Sequence, residues 1–142
     1  MSEFDLANTE NYTHWTDDII RFADLDRLNH VNNVAFATYS ETGRVDFLEH
    51  LEPGSTGGHG VGWLIAKMTV NFLSAAYYPG TVRIGNVIHR IGNSSIMLDQ
   101  GLFSNDKCFG TCETVMVWAD TVNEKSLSLP KALKARMQDY LR

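Results

Sequence analysis

The chain is poor in cysteine, in proline, in basic charge and in long apolar runs. Its only cysteines, Cys108 and Cys112, are four residues apart. On one strand they would lie about 13 Å from each other, too far for a mutual disulfide. That argues against a disulfide-stapled fold, and a reducing, cytoplasmic setting is expected. No apolar stretch approaches the roughly 18–20 residues of a membrane-spanning helix, so no membrane partner is expected. The start, MSEFDLANTEN, has neither the basic nor the apolar part of a secretory signal. Twelve Lys and Arg face 17 Asp and Glu, giving a net charge of −5 and a pI near 5.4. Without a basic stripe, nucleic acid is not an expected partner. No Ser stands in a Gly-x-Ser-x-Gly turn, and no His/Cys/Asp cluster has metal-ligand spacing. A serine hydrolase and a metal centre are therefore not expected.

What the chain does have is a dense polar cluster at the mouth of a long helical pattern. Asp24, Asp26, Asn29, His30, Asn32 and Asn33 fall within ten residues. So many polar groups are costly to bury, which leaves a solvated loop or a site. Val31, Val34, Ala35, Tyr39, Val45, Leu48 and Leu51 then recur near helical spacing, predicting a helix over Asn33–Leu51. Asn32 or Asn33 suits its N-cap, and Glu52-Pro53-Gly54 its stop.

The rest of the chain reads as strands and turns. Residues 1–13 form a polar, loosely held lead-in, and 14–142 a single domain. His14–Ala23 is a strand. The glycine-rich Gly54–Gly62 is a mobile loop, and it lacks the Gly-Lys-Ser/Thr of a phosphate cradle. Trp63–Leu73, Thr81–Ile91, Ser95–Phe103 and Phe109–Ala119 follow as strands, with Leu64, Ala66, Met68, Val70 and Phe72 expected on one face of the first. Val82, Ile84 and Ile88 fall on one side of the second, Arg83 and His89 on the other. Short connections favour antiparallel neighbours. Past Pro130, Lys131–Leu141 composes a short terminal helix. The sum is an α+β fold: an antiparallel five-stranded sheet wrapped around one long central helix.

The run Asp24-x-Asp26-x-x-x-His30-Val31-Asn32-Asn33, with Tyr39, Glu41 and Arg44 beyond it, resembles the hotdog-fold acyl-CoA thioesterases of the 4-hydroxybenzoyl-CoA thioesterase type. Tyr78-Pro79-Gly80 and Leu129-Pro130 look familial too, so the likeness spans roughly residues 15–140. The same wording also resembles plant acyl-ACP thioesterases, which carry two hotdog repeats where this chain has one. The resemblance implies thioester hydrolysis on acyl-CoA or acyl-ACP, no cofactor beyond the thioester substrate, and a homodimer or homotetramer with the site at the dimer interface. It aligns Asp26 with the family's catalytic aspartate. Asn29 stands where the family often has glycine, a position that favours left-handed backbone, which Asn tolerates better than most residues.

The chemistry fits those residue types. A carboxylate serves as general base or nucleophile, and a helix N-terminus offers free N–H groups to an oxyanion. Asp26 is the expected carboxylate and the Asn33 amide the expected polarising donor. His30 either orients Asp26 or touches substrate, or is held by the loop backbone. Asp24 tethers the loop. Glu41 competes for the catalytic role, although a surface ion pair with Arg44 at i, i+3 explains both residues. Asn29, Asn32, Met68 and Phe72 are expected around the substrate. Arg83, Arg90 and Lys67 are candidates for the anionic end of coenzyme A. A hotdog protein that binds acyl thioesters without hydrolysing them is the alternative of another class; a hydratase is a weaker one, since it wants a paired Asp and His in another context.

Overall fold

The structure, a computed structural model, describes residues 4–142. Five long strands are β1 (His14–Ile20), β2 (Val61–Phe72), β3 (Gly80–Ile91), β4 (Ser95–Ser104) and β5 (Lys107–Asp120), with a two-residue β6 (Lys125–Ser126) beside β5. The strand order is β1-β3-β4-β5-β2, antiparallel throughout. The first strand is shorter than expected, because Phe22–Asp24 winds into a 3-10 turn. The last helix divides into α2 (Lys131–Met137) and a 3-10 turn, Gln138–Tyr140.

Helix α1 (Asn33–Leu51) begins and ends where the pattern places it, with Asn32 as N-cap accepting from the Val34 N–H at 3.0 Å. It touches all five long strands, so the sheet curls around it. This is the hotdog arrangement. Phe36, Tyr39, Phe47, Leu48 and Leu51 point from α1 into the sheet, each worth about 1.5–3 kcal/mol for full burial. At Gly43 the helix comes so close that a Cβ would stand 2.3 Å from Ile84 Cγ2.

The core under α1 has two parts. Val31, Phe36, Tyr39, Ile84, Leu102 and Phe109 pack beneath its N-terminal half. Phe47, Leu48, Ile88, Leu98, Met116, Leu133 and Met137 pack beneath the other. Between them runs a chain of buried polar groups whose direction is set by chemistry. Arg44 only donates, and its Nη1 meets Ser40 Oγ at 3.2 Å. Ser40 Oγ donates to Gln100 Oε1 at 2.6 Å, and Gln100 Nε2 donates to the Ser40 carbonyl and to Asn86 Oδ1. Asn86 Nδ2 donates to the Gly43 carbonyl and to His14 Nδ1. Carbonyls can only accept, so both amides are locked and His14 must carry its proton on Nε2, which faces Asp46 Oδ2 at 3.8 Å.

β2 sits at the far edge beside β5, and β1 pairs with β3. One expectation is corrected: the face assigned to β2 holds for Met68, Val70 and Phe72 but not for Leu64. A bulge at Ala66 shifts the register between Ile65 and Lys67. Trp63 and Ile65 therefore share the inner face with Met68, Val70 and Phe72, while Leu64 turns outward. A second irregularity, in the β4–β5 pair, sends Cys108 to the convex face and Cys112 to the concave one. On the convex face the lead-in packs Phe4, Leu6 and Tyr12 against Val87 and Phe103.

Candidate active site

The polar loop is a short hairpin. Leu25 bridges Val31, and the Asp26 N–H donates to the His30 carbonyl at 2.9 Å. Three residues connect the arms, and the last, Asn29, takes the left-handed conformation with φ +62°. Asparagine thus does the conformational work expected of glycine here.

Asp24 and Asp26 sit in the same loop with different partners. Asp24 Oδ2 accepts from the Arg21 N–H at 2.9 Å and from the Tyr39 hydroxyl at 2.7 Å. The Tyr39 ring is fully buried; that burial, reinforced by Asp24, pushes its phenol above the usual pKa. Asp24 therefore ties the loop to the second turn of α1. Asp26 Oδ1 accepts from the Leu28 and His30 N–H groups at 2.8 and 3.3 Å. Its Oδ2 has no protein hydrogen bond among the described residues, so half of the carboxylate is available to another molecule.

His30 meets Asp26 through its backbone N–H, and its ring stands edge-on to Tyr77 at 5.3 Å. The N–H of Asn33, first residue of α1, has no intrahelical acceptor, and Asn33 is exposed. Val34 is 68% exposed and Phe72 56%, with Leu28, Leu73 and Tyr77 also uncovered nearby. An open helix end, a half-free carboxylate and an apolar rim thus meet on the surface of one chain. No nearby thiol rivals the carboxylate as a nucleophile. Burial raises the pKa of Cys108 and pushes that of Cys112 up to about 11.

The remaining candidates scatter. Met68 and Phe72 lie on the inner face of β2, close to the rim. Arg83 is held by Asp17 at 3.6 Å and lies over Trp15. Arg90 opens onto a recess of about 350 Å³ with Asn93, Ser94 and Ser95, at the opposite end of the sheet from Asp26. Lys67 lines a neighbouring hollow on the convex face with Thr69 and Glu113. Glu41 is exposed, and the surface ion pair with Arg44 does not form. Arg44 turns inward to Ser40 and is 4% exposed, whereas Glu41 turns out. The spacing was right for a pair, but the helix is rotated so that position 44 faces the sheet. Tyr77 is the neighbour the sequence reading missed; only its place ahead of Tyr78-Pro79-Gly80 hinted at it. Among the described residues, no group of three or more His, Cys, Asp or Glu is placed to hold a metal ion, and no helix is long and apolar enough to cross a membrane.

Residues 20–137 match the family described as the thioesterase-like superfamily. The chain belongs to that superfamily. Solved structures agree in fold. A putative thioesterase from Pseudomonas aeruginosa is 26% identical, with a TM-score of 0.80 over 86% of this chain and 95% of that one. A thioesterase from Thermus thermophilus, complexed with coenzyme A and zinc, is 25% identical, with a TM-score of 0.83 over 93% of this chain and 96% of the other. A DHNA-CoA thioesterase from Staphylococcus aureus, at 16% identity, shares the fold, with a TM-score of 0.78 over 88% and 90%. No curated protein matches the sequence. Membership of the superfamily and these neighbours support acyl thioester hydrolysis in general.

Proposed function

We propose that the protein is an acyl-CoA thioesterase of the 4-hydroxybenzoyl-CoA thioesterase type, with Asp26 as its reacting carboxylate. One observation carries this reading: Asp26 Oδ1 is fixed by the loop while Oδ2 is unengaged, and the loop leads into a helix whose first N–H, that of Asn33, has no intrahelical acceptor. As general base, Asp26 takes a proton from water, the hydroxide adds to the thioester carbon, and the oxyanion accepts from the Asn33 N–H. Collapse of the adduct expels the thiolate, which leaves with the proton held by Asp26. As nucleophile, Asp26 adds directly and expels the thiolate, leaving an anhydride that water opens. Heavy-oxygen water in a single turnover separates the two, since only the anhydride route can place label in Asp26. His30 positions the loop, and Asn29 and Asn32 shape its mouth.

A homodimer completes this site. The β2 edge is unpaired and its inner face is uncovered, with Ile65 51% exposed. Pairing β2 with a second β2 closes the sheet and turns the flat apolar rim into a cleft between Met68, Phe72 and the partner's strand. Two-fold symmetry makes that pairing antiparallel. It carries the Arg90 recess of one protomer toward the Asp26 end of its partner, where Arg90 and Ser95 can receive the phosphates of coenzyme A. Arg83, already engaged by Asp17 and Trp15, contributes less. The coenzyme A bound by the Thermus relative supports coenzyme A as the carrier here; acyl carrier protein is the other candidate. Two free thiols fit a reducing, cytoplasmic setting, and no cofactor beyond the thioester is invoked.

The test is thiol release from a panel of acyl-CoAs and acyl-ACPs. A wild-type protein that binds acyl-CoA yet releases no thiol at any chain length would be a binding protein instead.

A further inference from the structure

Arg44 and Asp99 are the two buried charged side chains among the described residues. Asp99 is matched: Arg142 Nε stands 3.0 Å and His89 Nδ1 3.5 Å from its Oδ2. Arg44 is not. No carboxylate of the described residues lies within 4.0 Å of its guanidinium. Its hydrogen bond goes to Ser40 Oγ, a neutral group whose proton is already committed to Gln100. The chain beyond carries no negative charge until Asp46, at its far end. A guanidinium removed from water without an anion at ion-pair distance is a costly arrangement; the chain's own Glu41 acts on it only from beyond 4.0 Å, which leaves room for a closer partner from outside this chain.

Position points to that partner. Arg44 leaves the helix on the side of Ser40 and Gln100, and Gln100 pairs with Cys112 of β5, the strand next to β2. The guanidinium thus sits toward the unpaired edge. Glu41, one turn earlier, is exposed, has no ion pair, and shares a helix face with the exposed Val34 and Val45. In an antiparallel pairing about the middle of β2, near Ala66 and Lys67, the two-fold axis relates two α1 helices whose middles lie near Thr42. Glu41 and Arg44 flank that midpoint.

We propose that Arg44 takes its counter-ion from a second copy of this chain. The partner's Glu41 reaches Arg44, and a reciprocal pair forms across the two-fold axis. This rests on the homodimer described above. It also removes Glu41 from the chemistry, since its carboxylate is engaged at the interface and not at the thioester.

Mixing distinguishes this pair from an i, i+3 pair within one helix. Glu41→Gln and Arg44→Gln are each purified, combined at equal concentration and measured by native mass spectrometry. A heterodimer of the two variants keeps one intact pair and leaves no charge unmatched, whereas each homodimer strands two. Heterodimer above its statistical share of about half is expected, with each variant alone dimerising at least about tenfold more weakly than wild type. Should Arg44→Gln not fold, Glu41→Lys, at an exposed position, carries the test by setting like charges together: it dissociates the dimer further than Glu41→Gln. A statistical mixture, or a dimer indifferent to Glu41→Lys, overturns the ion pair alone. A monomeric wild type overturns the pair and the homodimer together.

Discussion

The two ends of α1 are built to opposite purposes. At the C-terminal end every feature closes the helix. Leu129, Leu133 and Met137 cover it, Arg136 Nε donates to the Leu51 carbonyl at 2.7 Å, and Arg136 also pairs with Glu52. At the N-terminal end the Asn33 amide is open, Val34 is exposed, and Asp26, in the loop leading to it, keeps one carboxylate oxygen unengaged. A fold maximising its own stability would close both ends. Leaving one open, within an apolar rim, is what a ligand site requires.

The contrast can be broken most sharply at Asp26. Asp26→Asn retains the Oδ1 acceptor for Leu28 and His30, so the loop should stand, while thiol release falls by about 10²–10⁴-fold. Glu41→Gln, assayed beside it with the protein kept above its dimer dissociation constant, is expected to lose far less. Equal losses would sink the assignment to Asp26. At the closed end, Leu133→Ala should cost about 2–5 kcal/mol in urea unfolding with kcat nearly unchanged. A large fall in kcat there would mean the two ends are not separable. Asn32→Ala removes the N-cap and should cost about 1 kcal/mol of stability. Unlike Leu133→Ala it should also lower kcat, because the proposed site uses the amides it organises.

The smallest expected effect tests the polar chain between the ends. Burial is the main reason His14 is held below its usual pKa; nearby His50 pushes the same way, and Asp46 opposes. Between that lowered value and 6.5 the unfolded chain binds more protons than the folded one, so stability rises with pH across this window and is lost as pH falls. Protonated His14 would also set a donor against Asn86 Nδ2, which the Gly43 carbonyl prevents from turning. Unfolding of His14→Gln, followed from pH 5 to 7, should be flatter than wild type. An unchanged slope would assign the pH dependence elsewhere.

Much of this was legible beforehand, for identifiable reasons. Helix α1 announced itself because a long Pro-free run, an Asn cap and a Pro-Gly stop agree, although its apolar repeat included Val34 and Val45, which are exposed, and not the buried Ser40 and Gly43. The site loop announced itself because its polar groups are too dense to be core. The face of β2 was misread because one extra residue at Ala66 inverts everything before it, and local alternation carries no mark of a bulge. The burial of Arg44 was missed because spacing along a helix says which residues neighbour one another, not which way the helix is turned.

Local chemistry therefore accounts for the elements, the cap, the left-handed Asn29 and the residue types at the site. Those depend on contacts within a few positions along the chain. The placement of β2 at the sheet edge and the inward turn of Arg44 arise from packing among residues far apart in sequence. No short-range rule contains them, because each is the outcome of competition among all the elements for one core.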